Sequence, residues 1–315
     1  MQRFGKTLNL TSYAKLNLYL KVLGKHSDNY HSIFTLFERI SLSDQIRLRL
    51  LPQREIRIVL SGRALPSGPS NMAYQAASLI KREFGIREGV EINIKKHIPI
   101  SAGLGGGSSN AAVVLAGLNQ LWKLNLRVKQ LVNLARQIGS DIPFFLHNSP
   151  FAYGTCRGDE IKVLKLPVEL WHIIVKPPIK VLSSIIYKRW DQAHKKRMGS
   201  SPTPIMSRRK SGKLVWELAN NQSIIKILKP ALLKKDFSKL NELLFNSLEE
   251  ITTAMHPVIS KIRMTLSDLG LEAISMSGSG PAVFGLISSR KEAYAIVRQL
   301  KAKWGNWDVL VAKTV

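Results

Sequence analysis

The sequence predicts an α+β fold in two unequal domains, and three observations predict it. Strand-period and helix-period stretches alternate through the first half, a glycine-rich run stands between one of each, and helices and strands resume after a basic interval near residue 200. A chain of 315 residues with 45% hydrophobic content is long enough to bury a sizeable core in two domains.

From Leu8 to Val22 the even positions read Leu8, Leu10, Ser12, Ala14, Leu16, Leu18, Leu20 and Val22, a period of two that predicts a strand with one buried face. The same spacing puts Tyr13, Lys15, Asn17 and Tyr19 on the opposite, polar face. Alternation returns at Ile46, Leu48 and Leu50, at Ile56, Ile58 and Leu60, and at Ile92 and Ile94. Ala73, Ala76, Ala77, Ile80 and Phe84 have helical spacing, with Ser70 as the cap and Gly85 as the stop. A second helix beginning around Ser108 carries Ala111, Val114, Leu115, Leu118, Leu121 and Trp122 on one face. A third, through Leu131, Leu134, Ala135 and Ile138, ends at Gly139-Ser140-Asp141-Ile142-Pro143, where proline forbids continuation.

The character of the sequence breaks near Gly154 to Asp159, which divides the chain at about residue 160 into an N-terminal domain, 1–160, and a C-terminal domain, 161–315. Within the second, Lys195 to Lys213 is rich in Lys, Arg, Ser, Pro and Gly and reads as a mobile basic insertion, because it offers almost nothing to bury. Ile259 to Leu269 is read as a helix, Ala273 to Met276 and Val283 to Ile287 as strands. Ser289 to Glu292 is read as a capping box before a further helix, and Val309 to Ala312 as a last strand.

Charge is the unusual feature. There are 47 Lys and Arg against 21 Asp and Glu, a formal net charge of +26, which attracts polyanions without choosing among nucleic acid, membrane surface and phosphorylated small molecules. No run approaches the roughly 18–20 apolar residues of a membrane span, and the first residues lack the apolar segment of a secretory signal. The single cysteine, Cys156, excludes an internal disulfide and a cysteine metal cluster and reads as an inert thiol. These features predict a cytoplasmic protein. Nucleic acid as the main partner is disfavoured, since no RNP aromatics, zinc finger or coiled-coil basic region accompany the lysines, which are spread along the chain.

The run Pro99-Ile100-Ser101-Ala102-Gly103-Leu104-Gly105-Gly106-Gly107-Ser108-Ser109 lies between a strand and a helix, the context that a phosphate cradle needs and a linker lacks. Glycines permit positive φ and close approach to backbone N–H groups, and a helix start adds unpaired donors and the positive end of its dipole. No Gly-Lys-Ser/Thr closes the run, so it is not a P-loop, and it lacks the setting of the dinucleotide fingerprint.

It does resemble the Pro-x-x-x-Gly-Leu-Gly-Ser-Ser-Ala-Ala motif of the GHMP kinase superfamily, which includes galactokinase, homoserine kinase and mevalonate kinase. The longer form here, GLGGGSSNAA, is similar to that of one branch, the 4-diphosphocytidyl-2-C-methyl-D-erythritol kinases. Ala14-Lys15-Leu16-Asn17-Leu18 and Asp28-Asn29-Tyr30-His31 resemble that branch's PAKLNL and DGYH elements. Gly139 to Phe145 resembles its GxDVPFF element, and Ser277-Gly278-Ser279-Gly280-Pro281 resembles the superfamily's C-terminal glycine motif. Two departures stand out: Asn29 replaces the usual glycine, which Asn tolerates, and the family does not predict the basic insertion.

The resemblance implies a two-domain GHMP kinase fold: an N-terminal domain like domain 2 of ribosomal protein S5, a C-terminal ferredoxin-like α/β sandwich, and the active site in the cleft between them. It implies an ATP-dependent kinase of the non-mevalonate isoprenoid route, acting on the 2-hydroxyl of a cytidine diphosphate alcohol. The alternatives are a superfamily kinase for homoserine or mevalonate and, further off, a nucleic-acid-binding protein. By the resemblance Asp141 is the general base, Lys15 stabilises negative charge beside it, and Asn17 hydrogen-bonds the substrate. Tyr30 stacks on the cytosine, His31 reads its edge, and Tyr187 is offered as a second stacking face. Pro99 to Ser109 holds ATP. Asn71 either contributes near the adenine or caps a helix. Ser277, Gly278, Ser279 and Gly280 either meet the substrate's phosphates or form a tight turn. Magnesium is expected with ATP, and no carboxylate pair is assigned to it.

Overall fold

A computed structural model describes residues 5–25, 30–194 and 221–315; the expected insertion at 195–213 and the residues Asp28 and Asn29 lie outside them. The chain runs β1 (Thr7–Lys25), β2 (His31–Leu51), β3 (Ile56–Gly62), α1 (Met72–Glu83), β4 (Gly89–Lys96), α2 (Gly106–Leu121), α3 (Val128–Ala135), α4 (Ile142–Leu146), β5 (Phe151–Thr155) and β6 (Glu160–Leu164). It continues with β7 (Trp171–Lys176), α5 (Ser183–His194), α6 (Asn221–Lys234), α7 (Phe237–Leu243), β8 (Phe245–Asn246), α8 (Glu249–Met255), α9 (Val258–Asp268), β9 (Ile274–Met276), β10 (Val283–Ile287), α10 (Arg290–Lys303) and β11 (Asp308–Lys313).

Seven of these strands form one sheet. Its path is β3-β4-β2-β1-β8, and β5 joins β2 and carries β6 beyond it. The long β2 makes this possible: it pairs with β1 over its length, with β5 over Thr35–Glu38 and with β4 over Gln45–Leu51. The second sheet is antiparallel, in the order β11-β7-β10-β9. The α1, α2 and α3 helices cover the outer half of the first sheet, closing a core of Ile46, Leu48, Ile92, Ala76, Val114 and Leu118 among others. Another cluster joins the two halves, with Leu16, Leu18, Phe34 and Phe151 of the first sheet packed among Ile174, Leu228, Leu232 and Phe284. A bridge from Ile40 to Thr314 and the ion pair of Arg63 with Asp308 tie the same halves together.

Several expectations need correction. β1 has no solvated face in its middle: Lys15, Asn17 and Tyr19 are as buried as Ala14, Leu16 and Leu18. Lys15 and Asn17 are covered because their side chains hydrogen-bond each other, and burial pushes the Tyr19 phenol up to about 12. The α1 cap is Asn71, not Ser70; its Oδ1 accepts from the Ala73 N–H at 2.9 Å and its Nδ2 donates to the Pro66 carbonyl at 2.7 Å. The α2 helix starts at Gly106, two residues before the expected Ser108. Pro143 opens a short helix, α4, rather than only ending the preceding one. The break at Gly154 to Asp159 is the turn of the β5–β6 hairpin, so the first sheet continues to Leu164 and the change of sheet falls between β6 and β7. No helix among the described residues is long and apolar enough to cross a membrane.

Since the Asn71 amide oxygen caps α1 and its nitrogen ties down the preceding loop at Pro66, Asn71→Ala is expected to cost about 1 kcal/mol of stability. Thermal denaturation measures it, alongside a KM for ATP that stays within about twofold of the parent's.

Candidate active site

The β1 strand brings Lys15 into a cavity of about 1030 Å³ that opens between the two halves. Asp141 enters the same cavity from the turn before α4, and the Lys15 ammonium lies 3.3 Å from its Oδ2. Lys15 is almost wholly covered, while the Asp141 side chain keeps 30% of its surface, so the carboxylate is the accessible member of the pair. Lys15 also donates to Asn17 Oδ1 at 2.5 Å and stands over the Phe37 ring. Asn17 in turn donates to Thr35 Oγ1 at 2.7 Å, and Thr35 donates to the Tyr19 carbonyl. This chain of hydrogen bonds fixes the ammonium without neutralising it, since among the described residues only Asp141 brings a full negative charge to it.

The glycine run forms the adjoining wall. Gly105 caps α2 in the left-handed conformation, with φ 68° and ψ 15°, and contributes no side-chain cap. The N–H groups of Gly106, Gly107 and Ser108 therefore have no helical acceptor, and all three residues line the cavity. A Cβ at Gly105 would meet the Lys15 side chain at 2.9 Å and the Phe145 ring at 3.0 Å. That proximity sets unpaired donors, at the positive end of a 16-residue helix, against the Lys15–Asp141 pair.

The run is held from two directions. Lys15 N–H donates to the Leu104 carbonyl at 3.0 Å, Ala282 N–H to the Ala102 carbonyl at 3.2 Å, and Ser277 Oγ to the Gly103 carbonyl at 2.9 Å. Ser277 Oγ also accepts from the Asn17 N–H at 3.2 Å. The second glycine turn is anchored from behind, since Asn246 Nδ2 donates to the Met276 and Gly278 carbonyls and Thr252 Oγ1 to the Ser279 carbonyl. Below the first run lies a buried network that the sequence did not reveal. Asp44 pairs with Lys96, accepts from Asn110 Nδ2 at 2.9 Å, and takes the His97 and Ile98 N–H groups on its other oxygen. Burial pushes the Lys96 ammonium's pKa down and Asp44 pulls it partly back. Asp44→Asn leaves that ammonium uncompensated, and a loss of about 3–5 kcal/mol in chemical denaturation is expected.

On the far side of the Lys15–Asp141 pair, Tyr30, His31, Arg157, Tyr187 and Asp191 line the cavity. Tyr30 is exposed, and the Arg157 guanidinium sits 4.5 Å from its ring centre. Tyr187 stacks on His31 with ring centres 4.6 Å apart; burial, then the nearby Asp141 charge, pushes its phenol up. In this arrangement one face of Tyr187 lies against the imidazole.

The cavity thus gathers Lys15, Asn17, Tyr30, His31, Asn71, Asp141, Tyr187, Gly278, Ser279 and every residue from Pro99 to Ser108. Three expected residues stand outside its lining. Ser109 is buried and accepts from Ser12 Oγ at 2.7 Å, while Ser277 and Gly280 support the second turn from behind. Residues missed in the sequence include Lys96, Arg157 and Asp191. Arg157 carried a readable signal, a cation beside glycine in a turn; Asp191 carried one only in its helical spacing of four from Tyr187.

A helix start bare of side-chain caps, facing a lysine and carboxylate beside a second glycine turn, defines a phosphoryl-transfer cleft, and the fold class is that of the GHMP kinases. A family model described as GHMP kinases N terminal domain matches residues 71–149, and one described as GHMP kinases C terminal matches residues 228–306. The 4-diphosphocytidyl-2-C-methyl-D-erythritol kinase of Bacillus pumilus (strain SAFR-032) is 38% identical over 288 residues, 91% of each chain. That of Bacillus anthracis is 36% identical over the same share. A crystal structure of 4-(cytidine 5'-diphospho)-2C-methyl-D-erythritol kinase superposes with a TM-score of 0.74 at 30% identity, covering 98% of this chain and 100% of the other. Homoserine kinase from Cytophaga hutchinsonii, at 20% identity and a TM-score of 0.71, shares the fold. The chain belongs to the 4-diphosphocytidyl-2-C-methyl-D-erythritol kinase family of GHMP kinases.

Proposed function

We propose that the chain transfers the γ-phosphoryl group of ATP to the 2-hydroxyl of 4-diphosphocytidyl-2-C-methyl-D-erythritol, in the non-mevalonate route to isoprenoid precursors. The observation that carries this reading is the Lys15–Asp141 pair, 3.3 Å apart, set between an uncapped helix start and the aromatic corner of Tyr30, His31 and Tyr187. The triphosphate oxygens take the N–H groups of Gly106, Gly107 and Ser108, which places the γ-phosphorus toward Lys15. Asp141, the exposed member of the pair, accepts or orients the hydroxyl proton, and Lys15 stabilises the charge that spreads over the phosphoryl oxygens. Asn17, held by Thr35, is placed to hydrogen-bond the alcohol. Gly278 and Ser279 offer backbone donors to the substrate's diphosphate. Magnesium accompanies ATP and is bound mainly through phosphate oxygens and water; Asp141 and Ser108 are oxygen donors available in the same cavity.

The cytosine belongs at the aromatic corner, where a planar base finds a stacking face in Tyr30 and a directional partner in His31. The cytoplasm, which holds both nucleotide substrates, is the expected compartment, and the net charge of +26 favours their approach. A coupled ADP-release assay with the cytidine diphosphate alcohol, homoserine and mevalonate tests the reading. A kcat/KM for the first at least roughly 10³ above the others supports it, as a site built around polar contacts discriminates at that scale. Comparable turnover of homoserine or mevalonate, or none of the cytidine substrate, contradicts it.

A further inference from the structure

The substrate-reading histidine does not stand alone. His31 Nε2 lies 2.5 Å from Asp191 Oδ1, and the other oxygen of that carboxylate accepts from Lys25 Nζ at 2.8 Å. Asp191 sits one helical turn beyond Tyr187 on α5, so the residue that stacks on the imidazole and the residue that bonds its edge come from one helix face. Trp190, between them, meets the same imidazole edge-on at 5.9 Å and is itself stacked by His194. The ring is therefore held on its face, on its edge and at one nitrogen. Its side chain and that of Asp191 are 8% and 15% exposed, and both residues line the cavity.

We propose that Asp191 is a specificity-determining positioning residue: by accepting the Nε2 proton of His31 it fixes the tautomer whose Nδ1 can only accept, and so selects a cytosine over a uracil. The inference rests on the proposed placing of the base at this corner. Cytosine presents a 4-amino donor where uracil presents an oxygen acceptor. A neutral imidazole holds one donor and one acceptor, and the partner of one nitrogen decides the role of the other. With Nε2–H committed to Asp191, Nδ1 receives a hydrogen bond from the 4-amino group and turns its lone pair against the uracil oxygen. Burial works to raise the Asp191 pKa, but the hydrogen bonds from His31 and Lys25 outweigh it and hold the carboxyl below its ordinary value, so the acceptor persists at neutral pH. Asp191 touches no reacting atom; it acts through His31.

Calorimetric titration of the full chain with CDP and with UDP, for the parent and for Asp191→Asn and Asp191→Ala, tests this. The parent is expected to bind CDP at least about tenfold more tightly than UDP, the scale set by one hydrogen bond gained against one buried acceptor left unpaired. Asn at position 191 can donate to Nε2 as readily as accept from it, so both tautomers become available and the CDP:UDP ratio falls toward one. In both variants KM for the cytidine substrate rises about tenfold, while KM for ATP and kcat stay near the parent's, a split that a general loss of structure does not produce. On the folded parent, nitrogen NMR of His31 is expected to show the proton on Nε2, a readout that needs no variant. A proton on Nδ1, or an unchanged CDP:UDP ratio in Asp191→Asn, overturns the inference while leaving the kinase reading intact. A parent that binds neither CDP nor the cytidine substrate overturns both.

Discussion

Asp141→Asn is expected to lower kcat by at least about 10²-fold, with KM for ATP within about threefold of the parent's, in single-turnover and steady-state ADP-release assays. The substitution preserves shape and removes only the negative charge and the capacity to take a proton. Positioned general bases contribute about 10²–10⁴-fold, and here the carboxylate has a second task, since it is the full negative charge 3.3 Å from a Lys15 ammonium that is itself almost wholly covered. An amide leaves that ammonium attracted chiefly to the phosphoryl oxygens, which accounts for the expectation that ATP binding survives. If Asp141 served only to start α4, the loss would fall on stability. Its side chain makes no capping hydrogen bond, however, so any fall in melting temperature comes from the covered Lys15 ammonium left without its counter-charge, and it accompanies the kinetic loss rather than replacing it. A variant that keeps more than half the parental kcat removes Asp141 from the reaction.

Gly103→Ala is the second large effect, and it acts on architecture. Gly103 has φ 77°, a conformation that costs an L-residue about 1–2 kcal/mol. A Cβ built there would lie 2.0 Å from the Ser277 carbonyl oxygen, a backbone atom that cannot rotate away. Adding the usual 1–3 kcal/mol of overpacking, the variant is expected to lose roughly 2–5 kcal/mol in denaturant titrations. The strain separates the first glycine run from the second turn, so the Ser277 bond to Gly103 and the alignment of the α2 start with Lys15 are lost together. KM for ATP is expected to rise by about tenfold or more in whatever fraction remains folded, because the amide donors no longer converge. A variant with parental stability would mean that the two turns do not support each other.

The contrast between these two positions shows what the sequence carried. Lys15 and Asp141 were readable as a pair through the family motifs that their stretches resemble, and the structure sets them side by side although they lie 126 positions apart. The strand period of β1 was equally plain, yet it misjudged the face carrying Lys15, Asn17 and Tyr19. Period-two reasoning treats a polar side chain as a solvated one, whereas Lys15 and Asn17 are buried because they bond each other and are satisfied by Asp141 and Thr35. Asp44 was invisible for the same reason: in Ser41-Leu-Ser-Asp44 it reads as a turn residue, and only the return of β4 and α2 supplies Lys96, Asn110 and the two backbone donors that justify a buried carboxylate. Asn246 and Thr252 steady the second glycine turn through contacts 27 or more residues away along the chain, which no local pattern encodes. Asp191 falls between these cases, since its spacing from Tyr187 becomes informative once α5 is known to be a helix.

The central claim is spatial: the triphosphate lies on the open amides at the start of α2 and points at an alcohol held beside Asp141. A crystal structure of the chain with a non-hydrolysable ATP analogue and the cytidine diphosphate alcohol tests it most directly. The account predicts phosphate oxygens within hydrogen-bond distance of the N–H groups of Gly106, Gly107 and Ser108, with the 2-hydroxyl at Asp141, between the γ-phosphorus and the cytosine. A triphosphate bound away from the start of α2, or an alcohol whose 2-hydroxyl lies out of reach of Asp141, would contradict it.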